Sequence, residues 1–555
     1  MEPVEPTEPT EAAEAAEPAA QLTGLTIDRH IKNHQLRNLL VPSLQALNIV
    51  SNPITTLPSS LGQLQALQVI NISFSYKLLR LPRSLGELAA LRILSIDRCN
   101  ALTCLPESLG QLTALRTLKV SECFAITQLP DSLGQLAALH TLHLEHLNVT
   151  NLPESLGQLT ALHILLVRYC SLHTLPESLG QLAALNHFML FGCIHLQRLP
   201  ESLGQLAALE KINILSNHAL TCLPESLGQL TALRSLQIRF CQSMAYLPQS
   251  LGQLRDLHRL QIEYCVALTS LPEFHNLLSL KTLNIVYNPA IRVLPESLGQ
   301  LTFLESLHIM LNSLLSCLPP SLGQLAELQT LTIIECNITR LPEELGLLKK
   351  LKQIRLSRCY RLRLLPESLG QLAGLNMLAI SECPLIVLPN SIGSLSSLRS
   401  LSLYACELLT RLPESLGQLT ALRTLDITSS AALTSLPASL RQLTALEHLT
   451  ITDCTFLAEL PETISYLSLS QLTVNWGWYG KIPGHVSHPK GSVELRSSNV
   501  KICNLTNYFQ TIMTMAICMR RRHARLVRLP SEILWAIHES LQNMSAIRPT
   551  FPPVA

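Results

Sequence analysis

Between Leu57 and Pro461 a Leu-Pro pair recurs eighteen times, and successive pairs in this region are always 23 or 24 residues apart. Eight of the units read LPESLGQL without a change. A period of this length is typical of solenoids, in which each repeat buries its apolar face only against its neighbours. The 555 residues therefore predict one elongated array, not the three or four globular domains that the length would otherwise suggest. The pairs begin at Leu57, Leu81, Leu105, Leu129, Leu152, Leu175, Leu199, Leu223, Leu247, Leu271, Leu294, Leu318, Leu341, Leu365, Leu388, Leu412, Leu436 and Leu460.

Each unit carries a second pattern after the Leu-Pro pair. In the unit that begins at Leu105, Leu115, Leu118 and Val120 make alternate residues apolar. Alternation with a period of two predicts a short strand with one buried face. Cys123 follows at a position where a buried side chain is expected to hydrogen-bond to turn backbone that would otherwise be unpaired. Other units carry asparagine there, at Asn52, Asn217, Asn288 and Asn312.

The segment between the Leu-Pro pair and the strand predicts a short helix. Pro106 suits the first turn, because its missing N–H needs no partner there, and Gly110 is expected to let the chain leave that turn. Outside the array, Leu22-x-x-Leu25-x-Ile27 and Leu469-x-x-Leu472-x-Val474 repeat the strand pattern, so residues 22–480 supply about twenty repeats. The predicted fold class is α/β, with a parallel sheet on the concave side and short helices on the convex side.

The complete unit, with the consensus L-x-x-L-x-L-x-x-N/C-x-L, resembles the leucine-rich repeats of plant intracellular Ras-group proteins, of plant disease-resistance receptors and of bacterial effectors. The resemblance implies a curved horseshoe that recognises or scaffolds proteins inside cells, in signalling or immunity. It does not extend to the nucleotide-binding part of a resistance receptor, because the chain has no G-x-x-x-x-G-K-[ST] motif. A bacterial effector or an F-box-like adaptor that acts on host ubiquitination is the alternative that the resemblance leaves open.

The two ends of the chain depart from the repeat. Residues 1–21 are rich in Glu, Pro and Ala, lack the basic and apolar regions of a signal peptide, and predict a disordered acidic tail. Residues 481–555 predict an irregular cap with C-terminal helices, the first over Asn504 to Arg528. The second begins at Leu529-Pro530-Ser531-Glu532-Ile533, which weakly resembles the start of an F-box. The helices are interpreted either as a cap of the solenoid or as an adaptor-docking element.

Charge and cysteine usage indicate the surroundings of the protein. The net charge of +2 predicts no general affinity for nucleic acid, and the absence of an apolar run of about 18 residues predicts no membrane span. Eleven of the sixteen cysteines occupy one equivalent position in successive units, which predicts buried reduced thiols and a cytoplasmic location. They are Cys99, Cys123, Cys170, Cys193, Cys241, Cys265, Cys336, Cys359, Cys383, Cys406 and Cys454.

The residues between and just after the inward leucines of each strand predict the concave surface, which is the usual binding surface of a solenoid. Only 4% of the chain is aromatic, yet aromatic residues and arginines concentrate on this surface in the middle repeats. Both residue types are enriched at interaction hot spots. The alternative is that the rings pack against neighbouring strands and loops. The predicted partner-binding residues are Arg168, Tyr169, Phe191, Arg239, Phe240, Arg259, Glu263, Tyr264 and Tyr287.

No catalytic or metal-binding motif stands out. His140 and His143 are predicted to point in opposite directions along their strand, and His143 with Glu145 supplies two ligands where a zinc site needs more. The cysteines form no C-x-x-C pair, and no G-x-S-x-G sequence is present. A ubiquitin-ligase domain after the repeats, as in some bacterial effectors, is disfavoured because only residues 481–555 follow them. The chain is therefore predicted to be a non-enzymatic scaffold for a protein partner, without cofactor, metal or small-molecule substrate.

Overall fold

The computed structural model describes residues 24–28, 33–457, 460, 464, 467–475 and 493–496. In these ranges, 21 short strands form one parallel sheet in which each strand pairs with the next along the chain. This confirms the predicted α/β solenoid. The strands are β1 (Gly24–Asp28), β2 (Ala46–Val50), β3 (Val69–Ser73), β4 (Ile93–Asp97), β5 (Thr117–Ser121), β6 (Thr141–Glu145), β7 (Ile164–Arg168), β8 (His187–Phe191), β9 (Lys211–Leu215), β10 (Ser235–Arg239), β11 (Arg259–Glu263), β12 (Thr282–Val286), β13 (Ser306–Met310), β14 (Thr330–Ile334), β15 (Gln353–Ser357), β16 (Met377–Ser381), β17 (Ser400–Tyr404), β18 (Thr424–Thr428), β19 (His448–Thr452), β20 (Gln471–Asn475) and β21 (Val493–Arg496).

The register of the strands explains why the leucines recur with so little variation. Equivalent residues face each other across every pair, as Leu236 and Ile238 of β10 do with Leu260 and Ile262 of β11. Each apolar position therefore continues as a column through the stack, and these four side chains have no exposed surface. A single unit could not bury them, so stability comes from the contacts between neighbouring repeats.

The convex elements are 3-10 helices of five residues each, separated from the strands by turns. They span Ser59–Gln63, Arg83–Glu87, Glu107–Gln111, Asp131–Gln135, Glu154–Gln158, Glu177–Gln181, Glu201–Gln205, Glu225–Gln229, Gln249–Gln253, Glu296–Gln300, Pro320–Gln324, Glu343–Leu347, Glu367–Gln371, Asn390–Ser394, Glu414–Gln418 and Ala438–Gln442. The described part of the chain holds one α-helix, α1 (Asn33–Leu39), which the repeat pattern did not predict.

Two details of the helix prediction are wrong. Pro106 lies before the first turn, as the N-cap with extended backbone (φ −73°, ψ 147°), and its carbonyl accepts from the Leu109 N–H at 2.9 Å. Gly110 lies inside the 3-10 helix and does not end it. A Cβ atom at Gly110 would lie 2.4 Å from the carbonyl oxygen of Ser132 in the next repeat. Glycine is therefore needed for close packing of successive helices.

The glutamate of LPESLGQL stabilises the following repeat. The Glu201 carboxylate accepts from the backbone N–H of Ser226 at 3.1 Å, and Glu367 accepts from those of Asn390 and Ser391 at 3.3 and 3.0 Å. Those N–H groups open the next 3-10 helix and have no partner within it. The bonds to Ser391 and Asn390 lower the pKa of Glu367, the Ser391 backbone bond being the largest cause. A repeat that carries this glutamate bond therefore caps its C-terminal neighbour.

The position that alternates between cysteine and asparagine is buried, as predicted. Asn217 donates to the carbonyls of Leu190 and Leu215 at 3.0 and 3.1 Å, and its Oδ1 accepts from the Cys193 N–H at 3.0 Å. The thiol at this position donates more weakly to equivalent carbonyls. Burial raises the pKa of Cys170 to about 12, so this thiol stays protonated at neutral pH.

The repeat after Leu271 and the last strand depart from the pattern. Phe274 has no exposed surface, and a turn replaces the 3-10 helix. Strand β21 lies beyond residue 480, where an irregular segment was predicted, and it pairs in parallel with β20. It could not be foreseen because the L-x-x-L-x-L pattern is missing there. The predicted acidic tail, the helix over 504–528 and the F-box-like segment lie outside the described residues.

Candidate functional site

The residue immediately after each strand has a left-handed backbone. From Ser51 to Asp453, eighteen successive repeats place a residue with φ between 49° and 69° there. The conformation directs the N–H of Tyr169 to the carbonyl of Phe191 at 2.6 Å and that of Tyr264 to the carbonyl of Val286 at 2.8 Å. Parallel pairing therefore continues one residue past the strand. Side chains at this position form a row along the carboxyl-terminal edge of the sheet.

Five of the nine predicted partner-binding residues lie at this edge in two groups of packed rings. The first aromatic row consists of His146, Tyr169 and Phe191, and the second aromatic row consists of Phe240, Tyr264 and Tyr287. In the first row the centroid of the Tyr169 ring lies 4.4 Å from that of His146 and 4.6 Å from that of Phe191. In the second, the Tyr264 ring lies 4.5 Å from Phe240 and 5.0 Å from Tyr287. These separations are those of interacting aromatic pairs, three of them stacked and the Tyr169–Phe191 pair tilted by 49°.

The two rows are separated by repeats that carry small residues at the same position. Gly192 and Ser216 stand between Tyr169 and Phe240, so the predicted single patch is divided. The Tyr169 ring covers Gly192, where a Cβ atom would lie 2.5 Å from the ring carbon Cδ1. Tyr169 nevertheless keeps 41% of its surface exposed. The rings pack against each other, as the alternative interpretation predicted, and still present a face to solvent, so their role in binding a partner stays a prediction.

Of the predicted charged residues, Arg168 lies beside the first aromatic row and Arg239 beside the second. The Cζ atom of Arg168 lies 6.0 Å from the Phe191 ring centroid, and that of Arg239 lies 5.7 Å from Phe240. Glu263 is buried, and its carboxylate lies 2.7 Å from Nε of Arg239. Arg259 is exposed at the other end of β11 and does not join the second aromatic row. His146, which stacks on Tyr169, belongs to the site although it was not among the predicted residues.

Two glutamates at the same strand position have opposite pKa shifts. Burial raises the pKa of Glu263, and the attraction of Arg239 opposes this effect only in part. The pKa of Glu145 is lowered, first by its hydrogen bond with His143, whose Nε2 lies 3.3 Å from Glu145 Oε2. His143 and Glu145 therefore meet on one face of β6, as predicted. No group of three or more His, Cys, Asp or Glu side chains is placed to hold a metal ion among residues the structure describes.

The shifts predict opposite pH dependences for Glu263→Gln and Glu145→Gln. The stability that Glu263 contributes is full below its unfolded-state pKa and is lost as the pH rises through its raised folded-state pKa. We therefore expect wild type to lose stability relative to Glu263→Gln above about pH 4.3. Glu145 contributes above its unfolded-state pKa, so wild type should lose stability relative to Glu145→Gln as the pH falls below about 4.3. Urea-unfolding midpoints at a series of pH values test this, and equal signs for the two variants would contradict it.

No helix in the described ranges is long and apolar enough to cross a membrane. The model of the leucine-rich repeat region family matches residues 21–145, 128–270 and 322–489. No curated protein sequence gives a significant match.

Similar solved structures include bacterial and plant proteins. A leucine-rich repeat protein of Leptospira interrogans is 28% identical, with 71% of this chain and 93% of that chain covered, at a TM-score of 0.51. The leucine-rich repeat domain of the type III effector XopL is 30% identical over 38% of this chain and 74% of that domain, at a TM-score of 0.36. The Arabidopsis receptor kinase HAESA, in complex with the peptide hormone IDA and the co-receptor SERK1, is 19% identical over 86% of both chains, at a TM-score of 0.34.

The match of the family model extends over more than half of the chain, and the structure shows the parallel sheet and the repeating turns that the consensus predicts. Proteins of this family are generally interaction scaffolds without enzymatic activity. The chain belongs to the leucine-rich repeat family.

Proposed function

We propose that this chain is a non-enzymatic scaffold that binds a protein partner along the carboxyl-terminal edge of its concave face. The observation that carries the proposal is the pair of stacked aromatic rows, Tyr169 with its neighbours and Tyr264 with its neighbours. Phe, Trp and Tyr make up only 4% of the chain, yet five of these rings, together with that of His146, lie on one edge. Aromatic side chains offer large contact areas and have few rotatable bonds, so their ordering on binding costs little entropy.

The arrangement favours an elongated contact. Tyr169 follows β7 and Tyr287 follows β12, and five strand spacings correspond to about 24 Å. The Arg168 and Arg239 guanidinium groups adjoin the two rows and can bind carboxylates of the partner. Each ring is held by its neighbour before binding. The partner surface that suits this edge is therefore apolar, with acidic residues at its border.

The test compares two pairs of tyrosine substitutions. Tyr264→Ala with Tyr287→Ala removes most of the second aromatic row, whereas Tyr246→Ala with Tyr360→Ala removes two tyrosines that are 56% and 61% exposed outside both rows. Arg239 is left intact, because its loss would leave the buried Glu263 without its cationic neighbour. A partner captured by wild type from a lysate is purified and titrated with each variant.

We expect the dissociation constant to rise about tenfold or more for the first pair and to stay unchanged for the second. Far-ultraviolet circular dichroism confirms that both variants are folded. Unchanged affinity in the first pair, or an equal loss in both pairs, would place the contact elsewhere.

The proposed place of action is the cytoplasm, where the scaffold serves signalling or immunity. Support comes from the ladder of buried thiols, in which burial raises the pKa of Cys170, Cys193 and Cys265 to about 12, so that these three stay protonated and act as small apolar groups. Thiols used in this way suit a reducing compartment. No nucleic acid, small-molecule substrate or cofactor is part of the proposal.

A further inference from the structure

The edge of the concave face opposite the aromatic rows is basic. The residue immediately before each strand bonds through its backbone to the equivalent residue of the next repeat, as the Arg116 N–H does to Arg92 and the His140 N–H to Arg116, both at 2.8 Å. These residues therefore form a row at the amino-terminal ends of β4 to β12. Asn186 and Glu210 interrupt this row, which is otherwise cationic or imidazole. We define the basic edge as Arg92, Arg116, His140, His163, Arg234, His258 and Lys281.

The cations of the basic edge are open to solvent. Arg92, Arg116 and Arg234 are exposed, and none of them forms an ion pair with a residue that the structure describes. The rings of His140 and His163 stack with centroids 5.1 Å apart. Each is held by a contact of Nδ1 with the carbonyl two residues earlier, at 2.6 and 2.7 Å. Lys281 Nζ lies 3.2 Å from Glu305 Oε1, so the three arginines are the exposed cations of the edge that have no ion pair among the described residues.

The chain itself contains a segment of complementary charge and period. Glutamate stands at every third residue from Glu2 to Glu17, and no lysine or arginine occurs before Arg29. In a polyproline II conformation, which has three residues per turn and rises about 3.1 Å per residue, these glutamates would line one side about 9.3 Å apart. Two strand spacings of the sheet are about 9.6 Å. An extended segment with this sequence can therefore present a carboxylate to every second repeat.

The connection of this segment to the solenoid lies at the same edge. Gly24 aligns with Ala46, Val69 and Ile93 across the first four strands, so the chain enters β1 level with the row that contains Arg92. Three strand spacings separate β1 from β4, about 14 Å. The seven residues from Glu17 to Gly24 can extend about 22 Å at 3.1 Å per residue. The acidic segment therefore needs neither to cross the sheet nor to reverse direction.

We propose that the acidic N-terminal segment, residues 2–17, docks along the basic edge of the same chain, with four of its six glutamates facing the alternate repeats that carry Arg92, His140, Arg234 and Lys281. Individual ion pairs at an exposed edge are weak and screened by salt. The covalent connection of the segment to β1 compensates for these weak ion pairs, because a short linker gives the segment an effective concentration in the millimolar range at the edge. The docked segment leaves the aromatic rows at the opposite edge uncovered, so the proposal is independent of the protein-binding role assigned to them.

The experiment measures whether the acidic segment of the chain already occupies its basic edge. The probe is a fluorescently labelled synthetic peptide of residues 1–20, titrated by anisotropy into full-length chains at low salt. One chain is wild type, and the second carries Glu→Gln at residues 2, 5, 8, 11, 14 and 17. The third adds Arg92→Gln, Arg116→Gln and Arg234→Gln to the second. A matched control instead adds Arg198→Gln, Arg292→Gln and Arg340→Gln, three exposed arginines outside the edge.

We expect the second chain to bind the peptide about tenfold more tightly than wild type, because its own segment no longer competes. The edge substitutions should reverse that gain, and the control substitutions should not. A peptide of the same composition with its six glutamates consecutive should bind more weakly. Equal affinity of wild type and the second chain, binding that survives the edge substitutions, or equal binding of the two peptides would each overturn the proposal. Circular dichroism establishes that all four chains fold alike.

Discussion

Gly134→Ala is expected to destabilise the solenoid by about 3 kcal/mol, at the upper end of the usual cost of overpacking. The added Cβ atom would lie 2.2 Å from the carbonyl oxygen of Ser155 and 2.8 Å from its Cβ atom. Both belong to the backbone framework of the next repeat, so neither can move without separating two helices. The higher helix propensity of alanine, about 1 kcal/mol, acts in the opposite direction and is too small to offset the clash. Urea unfolding monitored by circular dichroism measures the difference.

Gly374→Ala is the matched control, because it makes the same substitution as Gly134→Ala at a glycine whose surroundings are different. Its Cβ atom would lie 3.0 Å from the carbonyl oxygen of Lys349, and equivalent positions such as Ala138 and Ala184 already carry alanine. We expect a change within about 1 kcal/mol, with a small stabilisation from the reduced freedom of the unfolded chain. If both variants lost the same stability, the close approach of successive 3-10 helices would not be the reason for the glycine.

Asn312→Ala is expected to cost about 3 kcal/mol, because it leaves buried backbone groups without a partner. Asn312 donates to the carbonyls of Ile285 and Met310 at 2.8 and 2.9 Å, and its Oδ1 accepts from the Asn288 N–H at 2.9 Å. The Met310 carbonyl keeps the Tyr287 N–H as a donor, so the largest loss falls on Asn288. Hydrogen exchange of the Asn288 amide, measured by mass spectrometry of the peptides around it, should rise together with the loss of stability.

Asn312→Cys separates the two hydrogen-bonding roles of this side chain, which donates to backbone carbonyls and accepts from a backbone N–H. The thiol of Cys336, one repeat later, donates to the carbonyls of Ile334 and Ile309 at 3.4 and 3.7 Å, so cysteine can replace the donor function of asparagine. Sulfur is a weak acceptor and would serve the Asn288 N–H poorly. We expect a loss of about half that of the alanine variant. A loss as large as that of alanine would show that the thiol does not act as a donor.

The sequence was informative wherever a residue is used the same way in every repeat. The period of the Leu-Pro pair, the alternation through Leu118 and Val120 and the position of Cys123 predicted the sheet, its parallel order and the buried ladder, because each reflects burial repeated along the stack. The role of Gly110 was predicted wrongly because the constraint on it does not lie within its own repeat. Its constraint comes from Ser132, a residue of the next repeat whose approach no local pattern reveals.

The candidate site was predictable in composition but not in arrangement. The residues between and just after the inward leucines were predicted to face the concave side, and Tyr264 and Tyr287 were found in that way. The division into two rows depends on Gly192 and Ser216, whose effect is apparent only when equivalent residues of successive repeats are aligned. Arg259 was grouped with Glu263 because both lie on β11, whereas the strand places them at opposite edges of the sheet.

The capping glutamates make the junctions at which they occur chemically equivalent. Glu201 supplies acceptors to the repeat that begins at Leu223, just as Glu177 does to the repeat before it, through Ser202. A duplicated unit of 23 or 24 residues inserted at such a junction would receive a cap from its predecessor and provide one to its successor. The array can therefore lengthen or shorten by whole units without a new type of interface between repeats. Its length can change while its surface residues diverge.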